Sequence, residues 1–259
     1  MNIAAPFLTV ITVVRNGEAV IDGCIRSVLE QGIPDMEYIV IDGASTDGTL
    51  DIVRGYGSAI SRVVSEPDKG IYDAMNKGLR LAKGKFIHFL NADDRYFEPQ
   101  TLSRLLPELS EDAIVYGQLV YQEEDGTRRL LGAPFSWARE LRESHVPQPT
   151  LFVPRRFYRE VGEFDTSYRI AADYEMVLRL ARRFPIRYVE QPVTVMHAGG
   201  ISHRRMGLAF LEASRVSRSH GRSAMAARLT YFRRMLKWQM ARMLPVSAIH
   251  AARKVLGRS

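Results

Sequence analysis

An apolar run that stops on two adjacent carboxylates is the stretch of this sequence best suited to chemistry. Residues 86–94 read FIHFLNADD, and the apolar start is typical of a strand buried on both faces of a parallel sheet. Asp93 and Asp94 would then lie beyond the carboxyl end of that strand, where open α/β sheets bind ligands. Carboxylate oxygens there suit Mg²⁺ or Mn²⁺, which share phosphate oxygens as ligands. The alternative is that both aspartates begin a solvated turn.

Alternating strand and helix patterns place this run within a parallel sheet. Apolar, β-branched segments predict strands, and helical periodicity predicts a helix after each of them. The predicted strands are 7–14, 37–42 and 63–65, followed by the run from Phe86, and the helices between them are 19–31, 50–56 and 71–82. Units of about 30 residues in this order imply right-handed parallel crossovers.

The first half lacks both common glycine-rich phosphate motifs. Neither GxGxxG nor GxxxxGK[ST] occurs there, which argues against a Rossmann dehydrogenase and a P-loop kinase. Phosphate would then need another partner, and a metal held by Asp93 or Asp94 would serve.

After a predicted helix at 101–109, the pattern becomes antiparallel. Strands 114–122 and 128–131 flank Asp125-Gly126, a strong hairpin turn. Residues 148–153 are predicted to return to the sheet. Helices are expected at 155–161 and 171–183, with short strands at 186–189 and 193–197.

Length and composition fit one α/β domain with an appendage. The 259 residues are 46% apolar and 25% charged, which are globular values. The single cysteine, Cys24, excludes an intramolecular disulfide and fits a reducing cytoplasm. We expect neither a secretory signal nor a membrane-spanning segment.

The net charge of +7 is unevenly distributed. Residues 200–259 hold 13 Lys and Arg and a single acid, Glu212, whereas residues 1–199 hold 23 Lys and Arg and 28 acids. The basic character therefore belongs to the C-terminal quarter, and it bears on partners or location more than on the fold.

Five separate stretches of the chain carry a combined family pattern. They read LTVITVVRNGEAVIDGCIRSVLEQ, EYIVIDGASTDGT, EPDKGIYDAMNKGLRLAKGKFIHFLNADD, QPTLFVPRRFYREVGEFD and IAADYEMVLRLARRF. Together and in this order they resemble the family 2 inverting glycosyltransferases of the GT-A fold, in the branch that builds bacterial surface polysaccharides. The resemblance implies an α/β GT-A domain with a mainly parallel mixed sheet over 1–203. Within it, 1–98 would bind the nucleotide sugar and 99–203 would form the acceptor side, while 204–259 would be a basic helical extension.

The resemblance also implies donor contacts in the first half. The donor would be a nucleotide-diphosphate sugar, with UDP as the expected nucleotide. Asp42 would accept hydrogen bonds from the base, although it could instead cap the next loop through Ser45 or Thr46. Asp93 would face the ribose or sugar, and Asp94 would hold Mg²⁺ or Mn²⁺ against the diphosphate. Further donor contacts are expected from Thr12, Val14, Glu18, Asp68, Lys69 and Asn76.

Asp173 resembles the family's general base, which takes a proton from the acceptor hydroxyl. One carboxylate suffices for a direct displacement with inversion. The family often shows an acid before this aspartate, whereas this chain has Ala172. The alternative is that Asp173 is a helix N-cap, which aspartate favours.

Acceptor-side and loop residues follow from the same resemblance. His145 and Gln148 lie on the acceptor side, and Gly199, Gly200 and Ser202 resemble a loop that closes over donor phosphates. Paired glycines allow the backbone to approach an anion closely. His197 and His203 flank this loop, where they would serve as hydrogen-bonding groups or as an additional metal ligand. The acceptor would be a saccharide or a polyprenyl-diphosphate-linked sugar.

The basic tail predicts two helices, at 209–220 and 224–244. On the second, one apolar stripe comprises Leu229, Phe232, Leu236, Met240 and Met243, and another comprises Tyr231, Met235 and Trp238. One stripe would pack on the catalytic domain. The other would contact an anionic membrane on its inner face, since basic helices with aromatic residues bind there. The alternative is packing within the domain or in a homodimer.

Two other functions remain open from the residues alone. A sugar nucleotidyltransferase would share the sheet and the metal carboxylates, but Arg15-Asn16-Gly17 is a poor substitute for its basic phosphate loop. A nucleic-acid-binding module would explain the basic tail. It would not explain carboxylates at strand ends, which repel phosphates unless a metal intervenes, and so no nucleic acid is expected.

Overall fold

The computed structural model describes residues 5–199 and 205–243 of the chain. Its strands there are β1 (Leu8–Val14), β2 (Met36–Asp42), β3 (Arg62–Ser65), β4 (Phe86–Phe89), β5 (Asp94–Tyr96), β6 (Ile114–Gln122), β7 (Arg128–Leu131), β8 (Leu151–Pro154) and β9 (Ile186–His197). The α-helices are α1 (Ile21–Leu29), α2 (Thr49–Gly55), α3 (Ile71–Leu81), α4 (Thr101–Leu105), α5 (Trp137–Glu143), α6 (Arg155–Val161), α7 (Ala172–Ala181), α8 (Met206–Ser219) and α9 (Ala224–Met243).

A mixed sheet connects these elements. Within the described residues its strand order is β3-β2-β1-β4-β8-β6-β9-β5, with β7 paired to β6. Strands β1 to β4 run parallel to one another, and β8 runs antiparallel between β4 and β6. Strand β9 is parallel to β6, and β5 pairs antiparallel with β9.

Strand alternation creates a hydrophobic core on each face of the sheet. All seven residues of β1 are buried, and successive side chains point to opposite faces. Ile11 and Val13 join the core under α3, α6 and α7. Val10 and Val14 join the core under α1, α2 and α4. The four residues of β4 are also buried, as its apolar run predicts.

The strand directions gather several chain ends at one edge of the sheet, called the rim below. Val14 of β1 is aligned with Asp42 of β2, and Asp42 with Ser65 of β3. Because β8 is antiparallel to β4, the chain enters β8 at the edge where β4 ends. Strand β9 ends there too, since it is parallel to β6, which is antiparallel to β8. The rim therefore comprises the carboxyl ends of β1 to β4, β6 and β9 and the start of β8.

The two C-terminal helices form a layer outside α7. Helix α8 packs on α7, with Val216 fully buried, and α9 packs on α8, with Ala227 1% exposed. In the described part of the chain, no helix combines the length and apolar character needed to cross a membrane. The predicted domain boundary at 203 and 204 falls outside the described residues.

Most predicted elements are confirmed, with boundaries shifted by a few residues, and the hairpin of β6 and β7 is confirmed. Two predictions differ, and helix α5 was not predicted. The two short strands at 186–189 and 193–197 form the single strand β9, whose pairing with β6 is irregular around Gly117, where a Cβ would collide with Val193. The turn alternative holds for Asp93, which is exposed in the turn before β5, whereas Asp94 is buried and begins the short strand β5, because β9 offers it a pairing edge.

Candidate active site

Asp42 ends β2 at the rim and is fully buried. The Ser45 N–H donates a hydrogen bond to its carboxylate at 3.1 Å, and the Ser65 hydroxyl donates another at 2.6 Å. The Ser45 hydroxyl also donates to it. The loop-capping role is therefore present, through Ser45, while the Thr46 N–H donates instead to Asn16 at 2.8 Å. The contact of Asp42 with a nucleotide base stays a prediction.

Hydrogen bonds join the loops that follow β1 and β2. The Gly17 N–H donates to the Thr49 hydroxyl at 2.8 Å, and the Gly48 N–H donates to the Glu18 carboxylate at 2.9 Å. The Glu18 N–H in turn donates to Asp47 at 3.2 Å. Glu18 thus cross-links the two loops, which stiffens this part of the rim. Its predicted donor contact would use a carboxylate that already holds the backbone.

The loop after β3 lies against the loop after β2. The Asp68 side chain is 6% exposed and forms an ion pair with Lys77 at 2.7 Å. A Cβ at Gly43 would collide with the Asp68 carboxylate, so only glycine allows this close approach. The Lys69 side chain is exposed, and its N–H donates to Asp73 at 3.0 Å in the turn before α3.

Asp93 and Asp94 follow β4 but have different environments. Asp93 is exposed, whereas Asp94 is 1% exposed. Burial, together with the charge of Asp93, raises the pKa of Asp94 well above its usual range. Asn91 donates to Asp94 Oδ2 at 3.3 Å, but Oδ1 finds no hydrogen-bond partner within residues 5–199 and 205–243. A buried carboxylate oxygen without a partner is unfavourable, and a bound cation would remove that cost.

The donor set at this position fits a hard divalent cation. Among the residues that the structure describes, no three His, Cys, Asp or Glu side chains are arranged to hold a metal by themselves. Mg²⁺ does not require such a cluster, because it commonly binds one or two carboxylates and completes its shell with water and substrate phosphates. The adjacent pair Asp93 and Asp94 meets that requirement. Metal binding there stays a prediction.

Asp173 lies in the first turn of α7. Ala171 occupies the N-cap position, so Asp173 is not the N-cap residue itself, although its carboxylate accepts an N–H of the first turn of the helix. The Tyr72 hydroxyl donates to Asp173 Oδ1 at 3.1 Å, and the Tyr174 N–H donates to the same oxygen at 2.8 Å. The residue keeps some exposed surface, and burial raises the pKa of its carboxyl above the ordinary value of 3.8. A partly exposed carboxylate with increased proton affinity suits a general base.

Glu212 of α8 holds the turn that precedes Asp173. It is 3% exposed, and its carboxylate accepts hydrogen bonds from three successive backbone N–H groups. These belong to Arg169 at 3.0 Å, Ile170 at 2.8 Å and Ala171 at 3.0 Å. The only acid of residues 200–259 therefore binds the backbone beside Asp173. Its charge also suits the amino end of α7.

His145 and Gln148 lie just before β8, at the rim. The His145 side chain is 4% exposed, and its Nδ1 lies 2.6 Å from the fully buried carboxylate of Glu140. That carboxylate also accepts the N–H groups of His145 and Val146, at 2.9 and 3.0 Å. The Tyr174 hydroxyl donates to the Glu140 carbonyl at 2.8 Å, so the buried pair adjoins α7. Gln148 is half-buried and begins the turn into β8.

The predicted closing loop begins where β9 ends. Gly199 has a φ of +104°, which glycine adopts without strain. Gly200, Ser202 and His203 lie outside the described residues. His197 Nε2 is 3.1 Å from the Arg95 guanidinium, which donates only, so the imidazole accepts here. This contact supports the hydrogen-bonding alternative for His197.

Three predicted donor residues are engaged in the interior. The Thr12 hydroxyl is fully buried and accepts a hydrogen bond from the Tyr38 hydroxyl at 3.1 Å, which lends no support to a nucleotide contact through that group. Val14 belongs to the core on the α1 side. Asn76 donates to the Phe164 carbonyl at 2.9 Å and accepts the Phe164 N–H at 2.8 Å. Both ends of its amide thus join α3 to the segment before Asp173.

Sequence reasoning missed the residues that position Asp173. Tyr72 reaches it across 101 positions of sequence, Glu212 holds the turn before it, and the Glu140 carbonyl accepts from the hydroxyl of the adjacent Tyr174. Tyr72 follows the apolar spacing of α3 and is indistinguishable from a core residue. Glu212 carried a usable signal, since a lone acid in a strongly basic segment requires a specific partner.

The fold and the rim define a GT-A glycosyltransferase: a mixed sheet flanked by helices with carboxylates at the ends of its parallel strands. The family model described as "Glycosyl transferase family 2" matches residues 9–160. The chain belongs to this family.

Relatives and solved structures agree with this assignment. A "PGL/p-HBAD biosynthesis glycosyltransferase" of Mycobacterium bovis is 31% identical over 213 residues, which cover 79% of each chain. Chondroitin synthase of Escherichia coli is 28% identical over 215 residues, 78% of this chain and 31% of that protein.

Two solved structures share the fold at lower identity. TarS of S. aureus in complex with UDP-GlcNAc has a TM-score of 0.65 at 19% identity, covering 87% of this chain and 70% of that one. Mannosyltransferase PcManGT from Pyrobaculum calidifontis, in complex with GDP-Man and Mn²⁺, has a TM-score of 0.63 at 20% identity, covering 99% and 82%.

Proposed function

We propose that this glycosyltransferase moves a sugar from a UDP-sugar to a hydroxyl of a saccharide or lipid-linked acceptor, with inversion at the anomeric carbon. The observation that carries the proposal is the convergence of Asp42, the pair Asp93 and Asp94, and the Tyr72–Asp173 contact at one rim of the sheet. Carboxylates that share an edge can serve one ligand.

The donor would lie along the carboxyl ends of β1, β2 and β4. Asp42 is oriented by Ser45 and Ser65, so its carboxylate can accept base N–H groups with little reorganisation. Lys69 presents an exposed cation in the loop after β3. The complexes of the two solved structures, with UDP-GlcNAc and with GDP-Man, support a nucleotide-sugar donor and differ in nucleotide.

A divalent cation, Mg²⁺ or Mn²⁺, would be held by Asp94, with Asp93 toward the ribose or sugar. Bound there, it would stabilise the negative charge that the departing diphosphate gains. The orphaned Oδ1 of Asp94 supports this assignment. The complex of the mannosyltransferase PcManGT with GDP-Man and Mn²⁺ is consistent with it.

Asp173 would act as the general base. The hydrogen bonds from Tyr72 and Tyr174 both reach Oδ1, so we assign the proton transfer to Oδ2. As the acceptor oxygen bonds to the anomeric carbon, its proton passes to Asp173 and the bond to the diphosphate breaks. One displacement from the opposite face inverts the configuration, and no enzyme nucleophile is needed.

The acceptor is proposed only as a class. One relative is named for PGL/p-HBAD biosynthesis and another is a chondroitin synthase, so the relatives differ in product and identify no single acceptor. His145 and Gln148 adjoin the rim on the side of β8, which suits acceptor contact. Assignment to the surface-polysaccharide branch rests on the resemblance of the sequence motifs alone.

The test is release of free nucleoside diphosphate from UDP-, GDP- and dTDP-sugars by the full chain, with Mg²⁺ or Mn²⁺ and a panel of saccharide acceptors. We expect metal-dependent release of UDP and a product of inverted configuration by NMR. Asp94→Asn should lose this activity and remain folded. The control Asp112→Asn, at an exposed site, should keep the activity. Retention of configuration would contradict the role of Asp173, and unchanged metal-dependent turnover in Asp94→Asn would remove the metal site.

A further inference from the structure

Helix α9 presents an apolar stripe to solvent along its whole described length. Its members are separated by three or four residues and therefore share one face of the helix. They are Met225 (81% exposed), Leu229 (59%), Phe232 (64%), Leu236 (59%) and Met240 (54%). Large apolar side chains this exposed and this contiguous mark an interaction surface rather than ordinary surface variation.

The opposite face of α9 is already used. Ala227 is 1% exposed, Met235 lies against Gly207 of α8, and the Arg234 guanidinium stacks over the Phe210 ring at 5.9 Å. One apolar side of the helix therefore packs on α8, and the other faces outward. The stripe is therefore exposed even though the helix is already packed on the rest of the protein.

Positive charge borders the stripe on both sides. Arg228 and Arg233 are exposed, and their positions on the helix fall on either side of the line from Met225 to Met240. Neither forms an ion pair with a described residue. Helix α9 contains no Asp or Glu at all. An apolar face bordered by free cations, with no acid on the helix, is complementary to a surface of acyl chains beneath anionic headgroups.

A second copy of the chain fits this surface less well. A two-fold contact through the stripe would set the arginines of one α9 beside those of the other. Helix α9 offers no carboxylate to pair with them, and Glu212 of α8 is buried and committed to three backbone N–H groups. Like charges facing each other across an interface are unfavourable.

We propose that the exposed face of α9 docks this glycosyltransferase on an anionic membrane surface, with the Met225–Met240 stripe in the acyl boundary and Arg228 and Arg233 at the headgroups. Helix α9 packs on α8, and α8 holds the turn before Asp173 through Glu212. Docking would therefore fix the rim relative to the lipid surface. The inference does not require the proposed sugar transfer to be correct, because binding alone tests it.

The test is co-sedimentation of the full chain with vesicles of phosphatidylglycerol and phosphatidylcholine, compared with phosphatidylcholine alone. We expect binding to the mixed vesicles, weaker binding to neutral vesicles and loss of binding at high salt. Phe232→Gln with Leu236→Gln should reduce binding roughly tenfold or more, because two half-exposed apolar side chains lose their burial. Arg228→Gln with Arg233→Gln should also weaken binding about tenfold, and only to anionic vesicles.

The β7 hairpin supplies matched controls. Leu130 and Leu131 are 54% and 41% exposed, and Arg128 and Arg129 precede them. One control removes two exposed leucines (Leu130→Gln with Leu131→Gln), and the other removes two arginines (Arg128→Gln with Arg129→Gln). Both should leave vesicle binding intact. Equal binding by the α9 and β7 variants would overturn the proposal. The proposal would also be overturned if the wild type failed to bind vesicles and instead formed a dimer, measured by light scattering, that Phe232→Gln with Leu236→Gln dissociates.

Discussion

The rim of the sheet and the outer face of α9 differ in the kind of side chain they present and in how far those side chains are held by partners. At the rim, polar side chains are held by hydrogen bonds: the buried Asp42 accepts from Ser45 and Ser65, and the exposed Glu18 holds Gly48, while one buried oxygen of Asp94 has no partner among the described residues. On α9, apolar side chains are exposed and unmatched. The rim is built to hold a small polar ligand without rearranging, whereas the α9 face is complete only when something extended covers it.

The segment around Asp173 connects the two regions. Tyr72 reaches Asp173 from the donor half, and Glu212 reaches the preceding turn from the C-terminal helices. Asp173 is therefore held on one side through its carboxylate and on the other through the backbone that precedes it. Four substitutions use this arrangement to break or sharpen the comparison.

Asp173→Asn should have the largest effect. The amide keeps the size of the side chain and removes the base, so transfer should fall by about 10²–10⁴-fold while donor binding is retained. Initial rates and calorimetric binding of UDP measure the two quantities. If the variant turned over like the wild type, another group would have to be the base.

Glu212→Gln should lower both stability and turnover. Three N–H groups would lose a charged acceptor, which costs about 1–3 kcal/mol, and the turn before Asp173 would loosen. We expect kcat to drop several-fold with little change in donor KM, and chemical denaturation to show the lost stability. Glu160→Gln, at an exposed helical site, is the matched control. A wild-type kcat in a destabilised Glu212→Gln would limit this residue to folding.

Asn76→Ala separates a donor contact from a structural one. The Phe164 N–H and carbonyl would lose their partners, so unfolding free energy should fall by about 1–3 kcal/mol. If the amide serves only this link, the donor KM should stay unchanged in the folded variant. If the donor KM increased by more than partial unfolding of the variant explains, Asn76 would also contact the donor.

Tyr72→Phe should shift the pH dependence of transfer. Burial raises the pKa of Asp173, and the hydrogen bond from Tyr72 opposes that rise. Activity requires the ionised base, so it should be lost as pH falls through the raised pKa. Removing the hydroxyl should move that acidic limb to higher pH, by about one unit or less. A pH–kcat profile of the wild type and the variant measures this shift. If the acidic limb has the same position in both, Tyr72 does not affect the pKa of Asp173.

How far the sequence predicted the site depended on the range of the contacts. Asp93 and Asp94 were located by local pattern, because a buried strand followed by acids has few other readings. The interior engagement of Thr12 and Asn76 could not be predicted, since it depends on Tyr38 and Phe164, which the fold brings close. Strand β5 was missed for a similar reason, because its pairing partner lies about a hundred residues further along the chain.

The sequence by itself determined most of the strand and helix order, the family and the position of the paired carboxylates, because these follow from periodicity and from motifs within short segments; β5 and α5 were not predicted. Only the tertiary structure decided which side chains hold Asp173, which face of α9 remains open, and that Asp94 carries an unpartnered oxygen. Hydrogen-bond partners and burial depend on groups that are distant in sequence, and only the packed sheet and helices bring those groups within bonding distance.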